Sequence, residues 1–146
     1  MESLKLFSKS RKRRASPEAE LQKAVVQFLK LAGVPNLLYF SVPNEGKRSR
    51  INGDHLRRMG LTSGVSDLVI IIPNVVHGPG ILFLELKAKG GKATDNQLAF
   101  RDAAVDAGAH WALADNIETA ISILREYGCI KNVARRRASP LSRKAA

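Results

Sequence analysis

Two stretches decide the fold: residues 67–72, DLVIII, and residues 81–87, ILFLELK. The first is apolar beyond Asp67, which is typical of a strand covered on both faces. Residues 73–80 between them are rich in Gly, Pro and Asn, the composition of a turn. Because two strands joined by a short turn pair side by side, the sequence predicts a hairpin that begins at Asp67 and ends at Lys87.

A helix and a strand are predicted before this hairpin. Ser16-Pro17-Glu18 has the form of a helix start, with a hydroxyl N-cap, a proline at the first helical position and an acid in the first turn. Apolar residues then recur at a spacing of three to four until Gly33 ends the predicted helix. Residues 37–42 are a β-prone run, and the polar residues 43–64 are expected to be rich in loops.

A helix, a strand and a last helix are predicted after the hairpin. Thr94-x-x-Gln97 has the form of a capping box and opens a helix that runs to about residue 107. Residues 110–114 follow as a short strand, and Asp115-x-x-Glu118 is predicted to cap the last helix. The predicted order is therefore α-β-β-β-α-β-α, an α/β fold whose mixed sheet is flanked by helices.

The expected domain spans residues 16–128, where neither a repeat nor a boundary interrupts the pattern. Residues 1–15 and 129–146 are basic, carry little apolar content, and are predicted to be disordered tails. The single cysteine, Cys129, excludes an internal disulfide. The sequence contains no apolar run of 18 residues and therefore predicts no membrane helix. The expected location is the cytoplasm.

The net charge of +11 comes from the two ends of the chain. Residues 1–14 hold six Lys or Arg and one acid, and residues 131–146 hold six and no acid, whereas residues 15–130 are formally neutral. Binding of such tails to phosphates releases counterions and gives affinity without sequence preference. A polyanion is therefore the expected partner, and tails that only aid solubility are the alternative.

The hairpin brings three charged residues together. Glu85 and Lys87 point to the same face of their strand, because side chains alternate along a strand. Asp67 starts the neighbouring strand and should lie beside Glu85, where two carboxylates repel each other unless a cation joins them. Oxygen ligands favour Mg²⁺ or Mn²⁺, and no Cys/His cluster suggests zinc. An exposed salt bridge of the same residues is the alternative.

A metal bound there predicts phosphodiester hydrolysis without a small-molecule cofactor. The metal would polarise the phosphate and acidify its water, and Lys87 would stabilise the developing negative charge. The polar stretch before the hairpin and the turn after it carry the candidate phosphate-binding residues, with a solvated loop as the alternative. These candidates are Asn44, Lys47, Arg48, Arg50, Arg57 and Arg58, together with Lys89 and Lys92.

Asp67 followed by Glu85-Leu86-Lys87, in this order of elements, resembles the PD-(D/E)xK nuclease superfamily. More narrowly, residues 16–125 are similar to a stand-alone VRR-NUC domain of the bacterial and phage type. One departure is Ser66, where that family usually has proline. Further positions that carry the resemblance are Glu20, Pro43-Asn44-Glu45-Gly46, Met59-Gly60, Gly64 and Gln97.

The resemblance implies a restriction-endonuclease-like core and a set of residue roles. It assigns Glu20, Asp67, Glu85 and the Leu86 carbonyl to the metal, makes Lys87 the catalytic lysine, and makes Gln97 a supporting site residue. From the residues alone, Glu20 could instead favour the helix dipole, and Gln97 could instead complete the capping box.

The resemblance further implies a homodimeric, structure-specific endonuclease that cuts four-way DNA junctions in the manner of a Holliday-junction resolvase. Nicking of flaps in phage replication or repair stays open. A non-catalytic basic DNA-binding protein is the competing interpretation, because the two tails alone would suffice for binding. An RNA-binding protein with basic tails fits the paired carboxylates less well.

Deletion of residues 1–14 and 131–146 is expected to weaken DNA binding uniformly across sequences. For every phosphate that the truncated protein no longer neutralises, the slope of log K against log salt should fall by roughly 0.9. Fluorescence anisotropy at several salt concentrations measures both quantities, and an unchanged slope in the truncated protein would contradict the prediction.

Overall fold

The computed structural model describes residues 15–43, 50–73 and 80–132, and of residues 50–52 it describes the backbone alone. Of the predicted tails 1–15 and 129–146, residues 1–14 and 133–146 lie outside these ranges. Within them, no helix is long and apolar enough to cross a membrane. The elements are α1 (Pro17–Ala32), β1 (Leu38–Ser41), α2 (Arg50–Arg58), β2 (Leu68–Ile72), β3 (Gly80–Leu86), α3 (Asp95–Asp106), β4 (His110–Ala114) and α4 (Ile117–Glu126).

The four strands form one mixed sheet in the order β1-β2-β3-β4. β1 and β3 run antiparallel to β2, and β4 runs parallel to β3 after the crossover through α3. The predicted hairpin and α/β class are therefore confirmed. Leu68 pairs with Leu84, so the next pair outward is Asp67 and Glu85, at the end of the sheet where the chain enters β2.

The main core lies on one face of the sheet, beneath α1 and α4. Alternate residues of β2 and β3 are buried there, and α1 and α4 add Val25, Leu29, Ala120 and Leu124. The opposite face carries Phe83, whose ring meets Phe100 of α3 edge to face with centroids 4.9 Å apart. Glu85 shares this second face with Phe83 because side chains alternate along the strand.

α2 is an element that the sequence did not predict. It occupies part of the polar stretch that was expected to be rich in loops. Its Asn52-Gly53 pair has turn composition, and Leu56 is its one large apolar side chain besides Ile51, so no apolar stripe marks it as a helix. An Arg57–Asp54 ion pair of 2.9 Å spans one turn of it.

The domain extends beyond the predicted boundary at residue 128. Cys129 and Ile130 are buried, although both were assigned to the basic tail. Ile130 forms an isolated antiparallel bridge with Gly33, and the Lys131 amide donates to the Ala32 carbonyl at 2.8 Å. Residues 129–131 therefore pack against the end of α1. A deletion of the basic tail should begin after Asn132, because these contacts are then kept.

Gly64 packs directly on the first turn of α3. Its φ is +78°, and a Cβ atom there would lie 2.2 Å from the Asn96 carbonyl oxygen and 2.8 Å from the Gln97 nitrogen. The backbone at Gly64 therefore approaches this peptide unit more closely than any residue with a side chain would allow. The contact joins the entry to β2 with the helix end that carries Gln97.

Gly64→Ala is expected to lower the free energy of unfolding by about 2–5 kcal/mol, since left-handed strain of about 1–2 kcal/mol is added to backbone overpacking. Gly90→Ala is the matched control, because Gly90 has φ +76° but no atom within 4 Å of the added Cβ. Gly90→Ala should lower the free energy of unfolding only by the left-handed strain of about 1–2 kcal/mol. Denaturant unfolding measures both values, and an equal destabilisation by the two variants would contradict the contact.

Candidate functional site

A polar cavity of about 320 Å³ lies at the end of the sheet where β3 finishes. The start of α1, the entry to β2, the end of β3 and the first turn of α3 form its walls. Its lining residues are Glu18, Gly64, Val65, Asp67, Glu85, Leu86, Lys87, Thr94, Asn96 and Gln97.

Glu85 is the buried charge of this cavity, with 1% of its side chain exposed. Its Oε1 accepts from the Gln97 amide and lies 3.1 Å from Lys87 Nζ. Its Oε2 is buried and has no hydrogen-bond partner among the residues that the structure describes. Burial, and then the charge of Asp67, raises the pKa of Glu85 to about 6 against the opposing effect of Lys87.

Backbone hydrogen bonds fix the positions of Asp67 and Lys87 next to Glu85. Asp67 Oδ2 accepts the Leu86 amide hydrogen at 2.9 Å. The Lys87 amide donates to the Ala114 carbonyl at 3.0 Å, and 14% of the Lys87 side chain is exposed. The structure therefore brings the predicted trio of Asp67, Glu85 and Lys87 together in one cavity, together with the backbone of Leu86.

Gln97 completes the capping box and also contacts Glu85 in the cavity. Its Oε1 accepts the Thr94 amide hydrogen at 2.8 Å, and the Thr94 hydroxyl accepts the Gln97 amide in return, which completes the capping box. Its Nε2 is thereby left to donate to Glu85. The helix cap thus fixes which end of the amide faces the carboxylate.

The first helix contributes Glu18 to the site instead of Glu20. Glu20 is exposed and pairs with Lys23 at 3.0 Å, whereas Glu18 lines the cavity and its charge adds to the rise of the Glu85 pKa. A sequence signal for this existed. Glu18 is seven residues before the buried Val25 and so shares its helix face, whereas Glu20 points away.

The described DNA-binding candidates lie outside the cavity. Arg57 is paired with Asp54, and Arg58, Lys89 and Lys92 are exposed. Asn44, Lys47 and Arg48, and the side chain of Arg50, are outside the described residues.

The turn that carries Lys89 is fastened by Asp115. Asp115 was predicted to cap α4, but Asn116 is the N-cap and accepts the Thr119 amide hydrogen. Asp115 Oδ2 instead accepts the Gly90 amide hydrogen at 2.9 Å. This bond is the largest cause that lowers the pKa of Asp115. No local sequence pattern predicts a hydrogen bond between residues this far apart in the chain.

The donor set fits a hard divalent cation. Asp67 and Glu85 supply carboxylates, and the buried Glu85 Oε2 has a lone-pair direction for which no described donor is present. Within the described ranges, no group of three or more His, Cys, Asp or Glu side chains converges on one point. The fit therefore rests on two carboxylates and neighbouring backbone oxygen, with Glu18 at the rim.

Ser66, the departure from the resemblance, is fully buried just before Asp67. Its hydroxyl has no hydrogen-bond partner among the described residues. Its side chain therefore contributes packing at this position.

Comparison with known proteins finds solved structures with a similar fold. No family model and no curated protein matches the sequence. A solved "VRR_NUC domain protein" is 23% identical, with a TM-score of 0.60 over 78% of this chain and 89% of the other. A solved "VRR_NUC domain" is 21% identical, with a TM-score of 0.53 over 77% of this chain and 99% of the other. The expected VRR-NUC, restriction-endonuclease-like fold is confirmed.

The raised pKa of Glu85 predicts how metal-free stability depends on pH. The folded state binds the Glu85 proton more tightly than the unfolded state, whose pKa is near 4.5. The free energy of unfolding should therefore fall by about 2 kcal/mol from this group as the pH rises from 4.5 through 6. Glu85→Gln should lack this decrease, and Glu20→Gln should follow the wild type. Urea unfolding in chelator measures it, and parallel wild-type and Glu85→Gln curves would contradict it.

Proposed function

We propose that the chain is a metal-dependent nuclease that hydrolyses phosphodiester bonds in DNA. The observation that carries the proposal is the buried Glu85 carboxylate, with one oxygen held by Gln97 and Lys87 and the other without a described partner. Burial of an acid at this cost is expected where a cation completes its surroundings. The VRR_NUC fold of the two solved structures supports the same activity.

The groups that would hold Mg²⁺ or Mn²⁺ are Asp67, Glu85 and the Leu86 carbonyl, with Glu18 in the place first expected for Glu20. Bound there, the ion would supply Lewis acidity toward phosphate and acidify a water molecule. The chain itself keeps the carboxylates in position. The Leu86 amide orients Asp67, and the capped Gln97 amide orients Glu85.

Lys87 is proposed to stabilise negative charge at the reacting phosphate. Its ammonium group is kept near the site by Glu85 and shielded from solvent by the cavity wall, and electrostatic stabilisation is stronger where water is excluded. The exposed Lys89 and Lys92 follow it on the turn that Asp115 fastens. They are proposed to contact flanking phosphates, and Arg57 and Arg58 of α2 to contact others.

Branched DNA and a homodimer belong to the same proposal. They rest on the resemblance of the motif pattern to resolvase-like VRR-NUC domains, since a twofold pair of sites matches the near-twofold symmetry of a four-way junction. Flap nicking is the alternative reaction on the same site, because its chemistry requires the same residues.

Cleavage of labelled junctions, flaps and duplexes with Mg²⁺ or Mn²⁺ tests the function. Lys87→Ala is expected to reduce the rate by about 10²–10³-fold, as for removal of other transition-state donors. Asp67→Ala should abolish cleavage at unchanged DNA retention in gel shifts. Equal cleavage by the wild type and both variants would refute the site.

The acids of α1 provide an internal control. Glu18→Gln is expected to slow cleavage and to raise the metal concentration needed for half-maximal rate, because Glu18 lines the cavity. Glu20→Gln should leave both quantities unchanged, since Glu20 faces solvent. DNA retention without cleavage under any metal would favour the non-catalytic DNA-binding alternative.

A further inference from the structure

A second cavity, apolar and about 500 Å³ in volume, lies beside the candidate site. Ile81 and Phe83 of β3 and Phe100 of α3 form its large walls, and small residues of α3 such as Ala103 form its floor. Among the described residues that line it, none is charged and Thr62 carries the one hydroxyl. Ile81 remains 38% exposed, so the cavity presents apolar surface that the described fold does not cover.

The two cavities share the same strand and the same helix. Phe83 and Glu85 project from one face of β3 two residues apart, about 7 Å along the strand. Phe100 follows Gln97 by three residues, which is about one turn of α3. The apolar cavity therefore begins where the polar cavity ends, at a distance comparable with the reach of a nucleoside from its phosphate.

The lining of each cavity matches the chemistry of one part of a nucleotide. The polar cavity suits a cation and a phosphate, and the apolar cavity offers two aromatic rings to a flat, uncharged group. Arg58, at the end of α2, is exposed and precedes Thr62 by four residues, so its positive charge lies at most about 14 Å of chain from that wall of the cavity. Continuity with the candidate site and this charge arrangement both favour a nucleic-acid strand as the occupant.

We propose that the apolar cavity binds a nucleobase of the substrate next to the scissile phosphate, through contact with Phe83 and Phe100. The proposal rests on the nuclease function above and narrows its substrate. A base inside a paired stack does not reach such a cavity without unstacking, which costs free energy. The preferred substrate is therefore a strand with an unpaired nucleotide at the cut, as at a branch point or a flap.

Paired oligonucleotides and a cavity-filling variant test the proposal. The probes are a tetrathymidylate and a tetramer of the same sugar-phosphate backbone without bases, both with Mg²⁺ and in a Lys87→Ala background that slows cutting. The parent protein is expected to bind the intact probe roughly tenfold more tightly, as stacking on aromatic side chains allows. Ala103→Leu should remove this preference by filling the cavity.

Ala99→Leu is the matched control, because Ala99 is also exposed on α3 but does not line the cavity. It should keep the tenfold preference. Trp111, the single tryptophan, pairs in register with Phe83, so its fluorescence should change with the intact probe and not with the abasic one. Disappearance of the preference in Ala103→Leu alone supports the proposal.

Two results would overturn it. Equal binding of both probes by the parent protein would show that no base enters the cavity, and cleavage by the wild type would in that case still support the nuclease function. A change of oligomeric state in Ala103→Leu, seen by light scattering while the base preference persists, would assign the cavity to contact between copies. Failure of the nuclease function itself is recognised separately, by absence of cleavage.

Discussion

The burial of the Glu85 carboxylate is the constraint around which the site is arranged. Glu85 lies near the end of β3, between the buried core residues Leu84 and Leu86, and its own carboxylate is also buried. Such a charge is stable only with partners. Lys87 and Gln97 contact one oxygen of Glu85, and the charge of Asp67 adds to the rise of its pKa. The proposed cation would interact with both carboxylates.

Precision at this site comes from backbone contacts that join separate elements. Gly64 touches the Asn96–Gln97 peptide, so the strand entry that bears Asp67 and the helix end that bears Gln97 have one relative position. The capping box then orients the Gln97 amide, and the Leu86 amide orients Asp67. Side chains held by such supports have few alternative positions, which is what the proposed catalytic role would require.

One face of β3 borders both cavities. Its last residues carry charge toward the polar cavity, and Phe83 and Ile81 before them carry apolar surface toward the second cavity. A nucleotide has the same division, with a charged phosphate and a flat base. In the proposed complex, one strand face would contact both parts, because alternate side chains of a strand share a face.

The sequence alone determined the hairpin, the order along the chain of every element except α2, the capping box and the proximity of Asp67, Glu85 and Lys87. These depend on local periodicity and on pairing between strands that are adjacent in the chain, which residue spacing encodes directly. Only the tertiary structure decided that Glu18 faces the site in place of Glu20, that Ile130 closes against Gly33, and that Asp115 binds the Gly90 turn. Each of these depends on how a helix is rotated against the sheet or on contacts between distant residues, and local sequence pattern does not specify such relations.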